Sequence, residues 1–252
     1  MASTITLAGT VAATTPLLGY RPLAFAGLAT PIYEPALTMA NMVKLAMLGA
    51  PFSWRWNRLG SAPTMFTCVP TQAAPTDYPE AITNFGWIEW AAVNNLDAVN
   101  PLWVPMTRVE ALAIAEETGV PRSIAAQYDN GSGQITFRVM PSPDQAYVVQ
   151  MDIQQKASLF NTATNPLTQT WSPIPDEFSD IYTWGFQALS LALNGDPRFA
   201  EYNQKFVSGL LARHSGLNET QITDFLNVWH SIGGGQEQLM EKLRQGIQAR
   251  GV

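Results

Sequence analysis

Between about residues 63 and 156 the apolar side chains of this chain recur at every second position; on either side they recur every third or fourth. A period of two belongs to a half-buried strand and one near 3.6 to a helix, and neither pattern serves the other structure. The clearest run is "AYVVQMDIQQK" (146–156), where Tyr147, Val149, Met151 and Ile153 alternate with Val148, Gln150, Asp152 and Gln154. Ile135, Phe137 and Val139 alternate likewise in "QITFRVM" (134–140). The "NGSG" (130–133) that separates this run from "RSIAAQYD" (122–129) is a hairpin signal. "TMFTCV" (64–69) and "GWIEWAAV" (86–93) complete the expected strands. One helix is expected among them, "TRVEALAIAEETG" (107–119), with Thr107 and Glu110 at capping-box spacing and Gly119 and Pro121 as its stop.

The flanks read as helices. "PALTMANMVKLAMLG" (35–49) has Pro35 for the first turn and Gly49 for a left-handed cap, with Pro51 blocking continuation. Its apolar residues lie nearly all round, so burial on most sides is expected. Phe178, Ile181, Tyr182, Leu189 and Leu193 mark a second helix, at whose start Asp176 and Glu177 suit the helix dipole. Asp196 as cap and Pro197 in the first turn open a third, with Phe199, Tyr202, Phe206 and Leu210 on one face. Ile222, Phe225, Leu226 and Trp229 mark a fourth. The expected fold is therefore α+β: a helical body formed by N- and C-terminal helices, with an inserted antiparallel β-sandwich or β-barrel-like part. The expected boundaries are an arm over 1–34, the helical body over 35–60 and 172–232, and the β-rich insertion over 61–171. A glycine hinge and amphipathic segment follow over 233–252.

The formal charge of −6 offers no basic excess for gripping a phosphate backbone. It is unevenly spread: residues 1–69 carry four bases against one acid, residues 70–195 four against thirteen, and residues 196–252 six against six. Cys68 is the single cysteine, so no disulfide can form within the chain. The opening "MASTITLAGTVAATTPLLGY" has no Lys or Arg ahead of its apolar part, and no apolar run reaches the about 18 residues of a membrane span. A soluble chain without a signal peptide is expected.

The search for chemistry yields little. His214 and His230 are sixteen positions apart, and neither an HExxH nor a CxxC motif occurs. There is no nucleophile elbow, P-loop or dinucleotide fingerprint; "GGG" (233–235) lacks the preceding strand and the lysine of a phosphate loop. The pairs Glu116–Glu117 and Asp176–Glu177 are what any acidic chain contains, and Asn218-Glu219-Thr220 is a chance-level glycosylation sequon. These readings lead to the expectation of a non-enzymatic protein without metal or cofactor. The eight tryptophans (54, 56, 87, 90, 103, 171, 184 and 229) fall at apolar positions of periodic segments, favouring core or subunit interface over a sugar or base platform. In "PFSWRWN" (51–57), extended chain would put Phe52, Trp54 and Trp56 on one side and Ser53, Arg55 and Asn57 on the other. That suits a structural joint, with Arg55 and Arg58 free to face an acidic neighbour in an adjacent subunit.

Several stretches resemble a known family. "WSPIPDEF" (171–178), "GFQALSLALNGDPR" (185–198) and "YNQKF" (202–206) resemble the returning helical pair of tailed-bacteriophage head-to-tail connector proteins, the adaptor or tail tubular protein A type. "RVMPSPDQAYVVQMDIQQK" (138–156) resembles the last strands of that family's β-insertion, and "PFSWRWN" the joint where the chain leaves the helical body. The likeness spans roughly residues 35–212 and lies in the order and spacing of elements more than in identities. It implies a virion structural protein at the head–tail junction, made in the cytoplasm of the bacterial host. Its copies would form a ring, commonly of twelve, docked beneath the portal and above tail or nozzle proteins, with DNA passing through the lumen unread during ejection. It further implies a portal-binding C-terminal segment, here Leu239, Met240, Leu243, Arg244, Ile247 and Arg250. The alternative is a glycan-binding or structural module of a phage tail or baseplate.

Overall fold

In a computed structural model the described residues are 3–19, 23–24, 31–70, 76–95, 102–110, 112, 117–128, 134–214 and 216–230. The protein is mixed helix and sheet, and the chain divides into two compact units: Met1–Phe52 with Ala157–Val252, and Ser53–Lys156.

The first unit is helical. It contains α1 (Leu7–Thr14), α2 (Ala36–Leu48), α3 (Ser179–Leu193), α4 (Phe199–Ala212) and α5 (Glu219–Trp229). Helix α2 buries Ala36, Met39, Ala40, Val43, Lys44, Ala46, Met47 and Leu48, as an all-round apolar helix should. Gly49, expected to be left-handed, is extended at φ −80° and ψ 163°; its N–H donates to Leu45 O at 2.9 Å, closing the last turn without αL geometry. Helix α3 lies close to α2 and α4 because Gly185 carries no side chain: a Cβ there would stand 2.8 Å from the Phe206 ring and 3.2 Å from Val43. The start of α4 also differs from expectation. Its first helical residue is Phe199, and Asp196 Oδ1 accepts from the Arg198 N–H at 2.9 Å, so the aspartate forms a turn ahead of the helix. Helix α5 is opened by a capping box in which Asn218 accepts from the Gln221 N–H and the Gln221 side chain accepts from the Asn218 N–H. The residues behind the sequon are thus a helix start.

The expected N-terminal arm is helix α1 and a short 3₁₀ turn over Thr15–Leu18, held on the helical unit. Leu7 N–H donates to Gln169 O at 3.0 Å, Trp171 N–H to Ile5 O at 3.1 Å, and the Trp171 indole to Thr10 Oγ1 at 2.8 Å. The apolar character of this stretch is explained by Leu7 and Leu18, both buried.

Among the described residues the second unit holds ten strands: β1 (Thr64–Cys68), β2 (Asp77–Glu80), β3 (Phe85–Asn95), β4 (Val104–Pro105), β5 (Thr107–Arg108), β6 (Thr118–Gly119), β7 (Ser123–Tyr128), β8 (Ile135–Met140), β9 (Ser142–Pro143) and β10 (Tyr147–Gln155). They form two four-stranded sheets, ordered β1-β10-β3-β4 and β2-β8-β7-β5, and a two-stranded pair β6-β9. The pairings are antiparallel except β5 with β7 and β6 with β9. The described strands do not close into a barrel. The hairpin expected around "NGSG" is seen in its strands, with Tyr128 opposite Ile135; the loop itself lies outside the described residues. Alternation in β10 is realised as Tyr147, Val149, Met151 and Ile153 buried in one core with Phe66, Val93, Ile124 and Phe137. Residues of both four-stranded sheets contribute to that core.

The helix expected over 107–119 is overturned wherever the segment is described. Thr107 and Arg108 pair with Ser123 and Ile124; the N–H groups of Thr107 and Val109 donate to Arg122 O at 2.8 Å and Ile124 O at 3.0 Å. Thr118 and Gly119 pair with Ser142 and Pro143. Sheet pairing, with Met106 seated in the shared core, outweighs the capping-box spacing of Thr107 and Glu110. The unit boundaries also differ from those expected. Residues 53–60 join the β unit because Leu59 N–H donates to Ile153 O at 2.8 Å and Asn57 Nδ2 to Gln155 O at 3.1 Å. Residues 157–171 join the helical unit because Asn41 and Lys44 of α2 hold their backbone.

Candidate functional site

The stretch around "PFSWRWN" is where the sequence concentrates aromatic and cationic side chains, and the chain passes from one unit to the other between Phe52 and Ser53. Phe52 is fully buried in the helical unit, edge-on to Phe225 at 4.8 Å and to His214 at 5.8 Å. Trp54 is buried in the β unit and stacks on Trp56 at 5.4 Å between ring centroids. The extended geometry ends there, since Arg55–Asn57 form a 3₁₀ turn and Asn57 is buried.

A polar network supports the tryptophan from beneath. Gln154, fully buried, reads Trp54 at both its backbone groups: its Oε1 accepts from the Trp54 N–H at 3.3 Å, and its Nε2 donates to Trp54 O at 3.2 Å. The same Nε2 donates to Glu89 Oε2 at 2.7 Å. Arg58 Nε donates to that oxygen at 2.8 Å, and Asp152 lies 3.4 Å from the guanidinium. Burial pushes the Glu89 carboxyl up, but the bonds from Arg58 and Gln154 outweigh it and hold it below its usual range. Arg58, expected to face a neighbouring subunit, is thus engaged within its own unit, while Arg55 is exposed. Such an arrangement fixes backbone and charge. It offers no poised acid or base.

Compared with known proteins, the chain matches no family model and no curated sequence.

The expected portal-binding residues Leu239, Met240, Leu243, Arg244, Ile247 and Arg250 lie outside the described residues, as does the glycine hinge. Among the described residues no group of three His, Cys, Asp or Glu side chains could hold a metal. No described helix is long and apolar enough to cross a membrane. Cys68 is fully buried, and burial pushes its thiol up to about 12, so it is a packing residue and not a nucleophile. Of the tryptophans, Trp54, Trp171 and Trp229 are core, whereas Trp90 and Trp103 are 37% and 36% exposed. A cavity of about 710 Å³ opens in the β unit between residues 81–86 and the β7–β8 end, with Phe85, Ile135 and Gln127 on its walls and Lys156 as the charged group among its described lining residues.

Two contacts of chemical interest escaped the sequence reading. Asp176 accepts from Ser3 Oγ at 2.6 Å, Thr4 Oγ1 at 2.6 Å and the Thr4 N–H at 3.0 Å, which holds its carboxyl down at about 2. Lys44 is 2% exposed, and among the described residues its ammonium donates to backbone carbonyls. The partners of Asp176 are more than 170 residues away in sequence, and no local signal announces them. The lone charge on α2, amid mostly apolar residues, was a visible signal for the second.

Proposed function

We propose that this protein is a structural component of a tailed-bacteriophage virion, a head-to-tail connector whose copies form a ring beneath the portal. The observation that carries the reading is the architecture of the chain: its two ends together make one helical unit, and a β unit with a sandwich-like core, shared by two four-stranded sheets, interrupts it. That order of elements agrees with the resemblance in residues 35–212, so the warrant is analogy of fold and motif. In this reading the ring has about twelve copies, the helical units meet the portal, and the β units meet tail or nozzle proteins. The C-terminal segment with Leu239, Leu243 and Ile247 provides the portal contact.

DNA passes through the lumen without being read. The β unit carries six bases and ten acids, a surplus that disfavours phosphate adhesion. Asp77, Glu89 and Asp152 are matched by Arg138 and Arg58, so the repelling charge rests on the remaining acids. The second reading, a glycan-binding module, is favoured by Trp90 and Trp103, both more than a third exposed.

Native mass spectrometry of the purified chain, alone and with portal protein, separates the two. A closed oligomer of about twelve copies, formed alone or on the portal, is expected. A chain that stays monomeric under both conditions and binds immobilised glycans overturns the connector reading.

A further inference from the structure

The shared core of the β unit comes to the surface where the cavity of about 710 Å³ opens. Both four-stranded sheets line it. Phe85 and Gly86 of β3 and Lys156, one residue beyond β10, come from the first, and Ala126 and Gln127 of β7 and Ile135 of β8 from the second. Ile82, Phe85 and Ala126 are partly buried and pack against the core cluster to which Ile135 belongs. Thr83, Asn84 and Lys156, also in the lining, are exposed. Apolar groups therefore lie at the inner part of the cavity, and a hydroxyl, a carboxamide and an ammonium lie at its mouth.

Backbone contacts fix these walls. The Lys156 N–H donates to Asn84 O at 2.8 Å, and Asn84 takes the left-handed conformation, φ 62°, that asparagine tolerates. The lysine and the 83–84 turn are thus held side by side. Residue 86 must be glycine for β3 to lie against β10 here, since a Cβ would stand 2.6 Å from Gln154 O. Phe85 is seated edge-on to Phe137 at 5.9 Å between ring centroids.

Charge narrows what such a cavity takes. Lys156 forms no ion pair with a carboxylate of the described residues. The unit around it holds six bases and ten acids, so an anion is disfavoured over most of the unit and favoured at this ammonium. A wholly apolar ligand would leave the ammonium unused, and a bare inorganic anion would leave Ile82, Phe85 and Ala126 half-covered.

We propose that the cavity binds a small monocarboxylate with an apolar body, of the alkanoate or aryl-alkanoate class. The apolar body lies on Ile82, Phe85, Ala126 and Ile135, and the carboxylate accepts from Lys156 Nζ with Thr83 and Asn84 as further donors. The volume falls within the range of about 300–1,000 Å³ typical of small-ligand pockets. Apolar burial supplies most of the affinity, and the exposed ammonium supplies the preference for an anion. The site belongs to the β unit alone and stands whether or not copies of the chain assemble into a ring.

The test is a nitrogen-15 NMR titration of the full chain at pH 7 with octanoate, and with octanol and octyltrimethylammonium as its neutral and cationic counterparts. Octanoate should give saturable shifts centred on Thr83, Phe85, Gly86, Gln127 and Lys156, and should bind about two- to fivefold more tightly than octanol. The cationic counterpart should bind most weakly. Lys156→Gln should bring octanoate down to the affinity of octanol. Ala81→Trp, at an exposed position of the lining, should block both by filling the mouth. Shifts that do not saturate, octanol binding as tightly as octanoate, or octanoate binding unchanged in either variant overturns the site. Should a variant fail to fold, the three ligands on the wild-type chain decide it, because the order octanoate, octanol, octyltrimethylammonium is required and any other order refutes it.

Discussion

Arg138 on β8 and Asp77 on edge strand β2 face each other across the sheet in a two-pronged pair, Nε to Oδ1 at 2.6 Å and Nη2 to Oδ2 at 2.7 Å. Both side chains are less than a quarter exposed, 16% and 24%, so the pair is shielded more than a surface contact and its geometry is the strong bidentate one. The Arg138 hydrogen bonds hold the Asp77 carboxyl below its usual range. The sign of the pH effect follows. A carboxyl whose folded pKa is depressed adds stability above its unfolded pKa and loses it as pH falls through the folded value. Asp77→Asn should therefore cost about 1–3 kcal/mol at pH 7, and the difference from wild type should shrink below about pH 4. Urea unfolding at pH 7, 4 and 2.5 measures both. A difference that is constant across the three pH values would show that the pair adds nothing through ionisation. Neither residue attracts notice in the sequence, since they are 61 positions apart, Arg138 sits on a strand read for its apolar side, and the strand of Asp77 is not among those expected.

At the scale of the element, glycines separate packing from propensity. Gly185 lies where α3 meets α4 and α2, and an added Cβ would press on Phe206 and Val43 at 2.8 and 3.2 Å. Gly185→Ala should therefore lose about 1–3 kcal/mol by overpacking. Gly9 in α1 has nothing nearer than 3.8 Å, so Gly9→Ala should gain about 0.5 kcal/mol from helix propensity. Thermal melts of the two variants should shift in opposite directions, and equal shifts would refute the close approach of α3. Elements of this kind were readable where the hydrophobic period was strong: α2, α3 and the five longest β-unit strands except for their ends. They were unreadable where a long-range pairing decides. Thr107–Arg108 carries helix-like spacing yet is held by Ser123 and Ile124, and α1, built from Ala, Thr and Gly, shows its apolar face only once Trp171 and Gln169 are beside it. The polar network under Trp54 was equally hidden. Gln154 lies 100 residues away and belongs, by strand alternation, to the face of β10 opposite Ile153; it is fully buried there, bonded to the Trp54 backbone and Glu89.

For the whole molecule, the division at Phe52/Ser53 and Lys156/Ala157 makes a claim about autonomy. The core of the β unit is internal to residues 53–156: Phe66, Ile88, Val93, Ile124, Phe137, Val149 and Met151 are all buried and pack within one cluster drawn from both sheets. Its backbone ladders are closed inside the same interval, from β1 on β10 to β2 on β8, and its partly buried ion pairs Arg58–Glu89 and Arg138–Asp77 have both partners there. About a hundred residues is enough chain to bury a stable core. A polypeptide of residues 53–156 should thus fold alone, with dispersed amide resonances and a single cooperative denaturant transition. Within it Gly86→Ala should be strongly destabilising, since a Cβ at that position would stand 2.6 Å from Gln154 O and 2.8 Å from the Gln155 carbonyl carbon, both backbone atoms that cannot turn aside. A fragment that is collapsed but non-cooperative would mean that the core needs the helical unit, and the β unit could not then be an independently folding insertion.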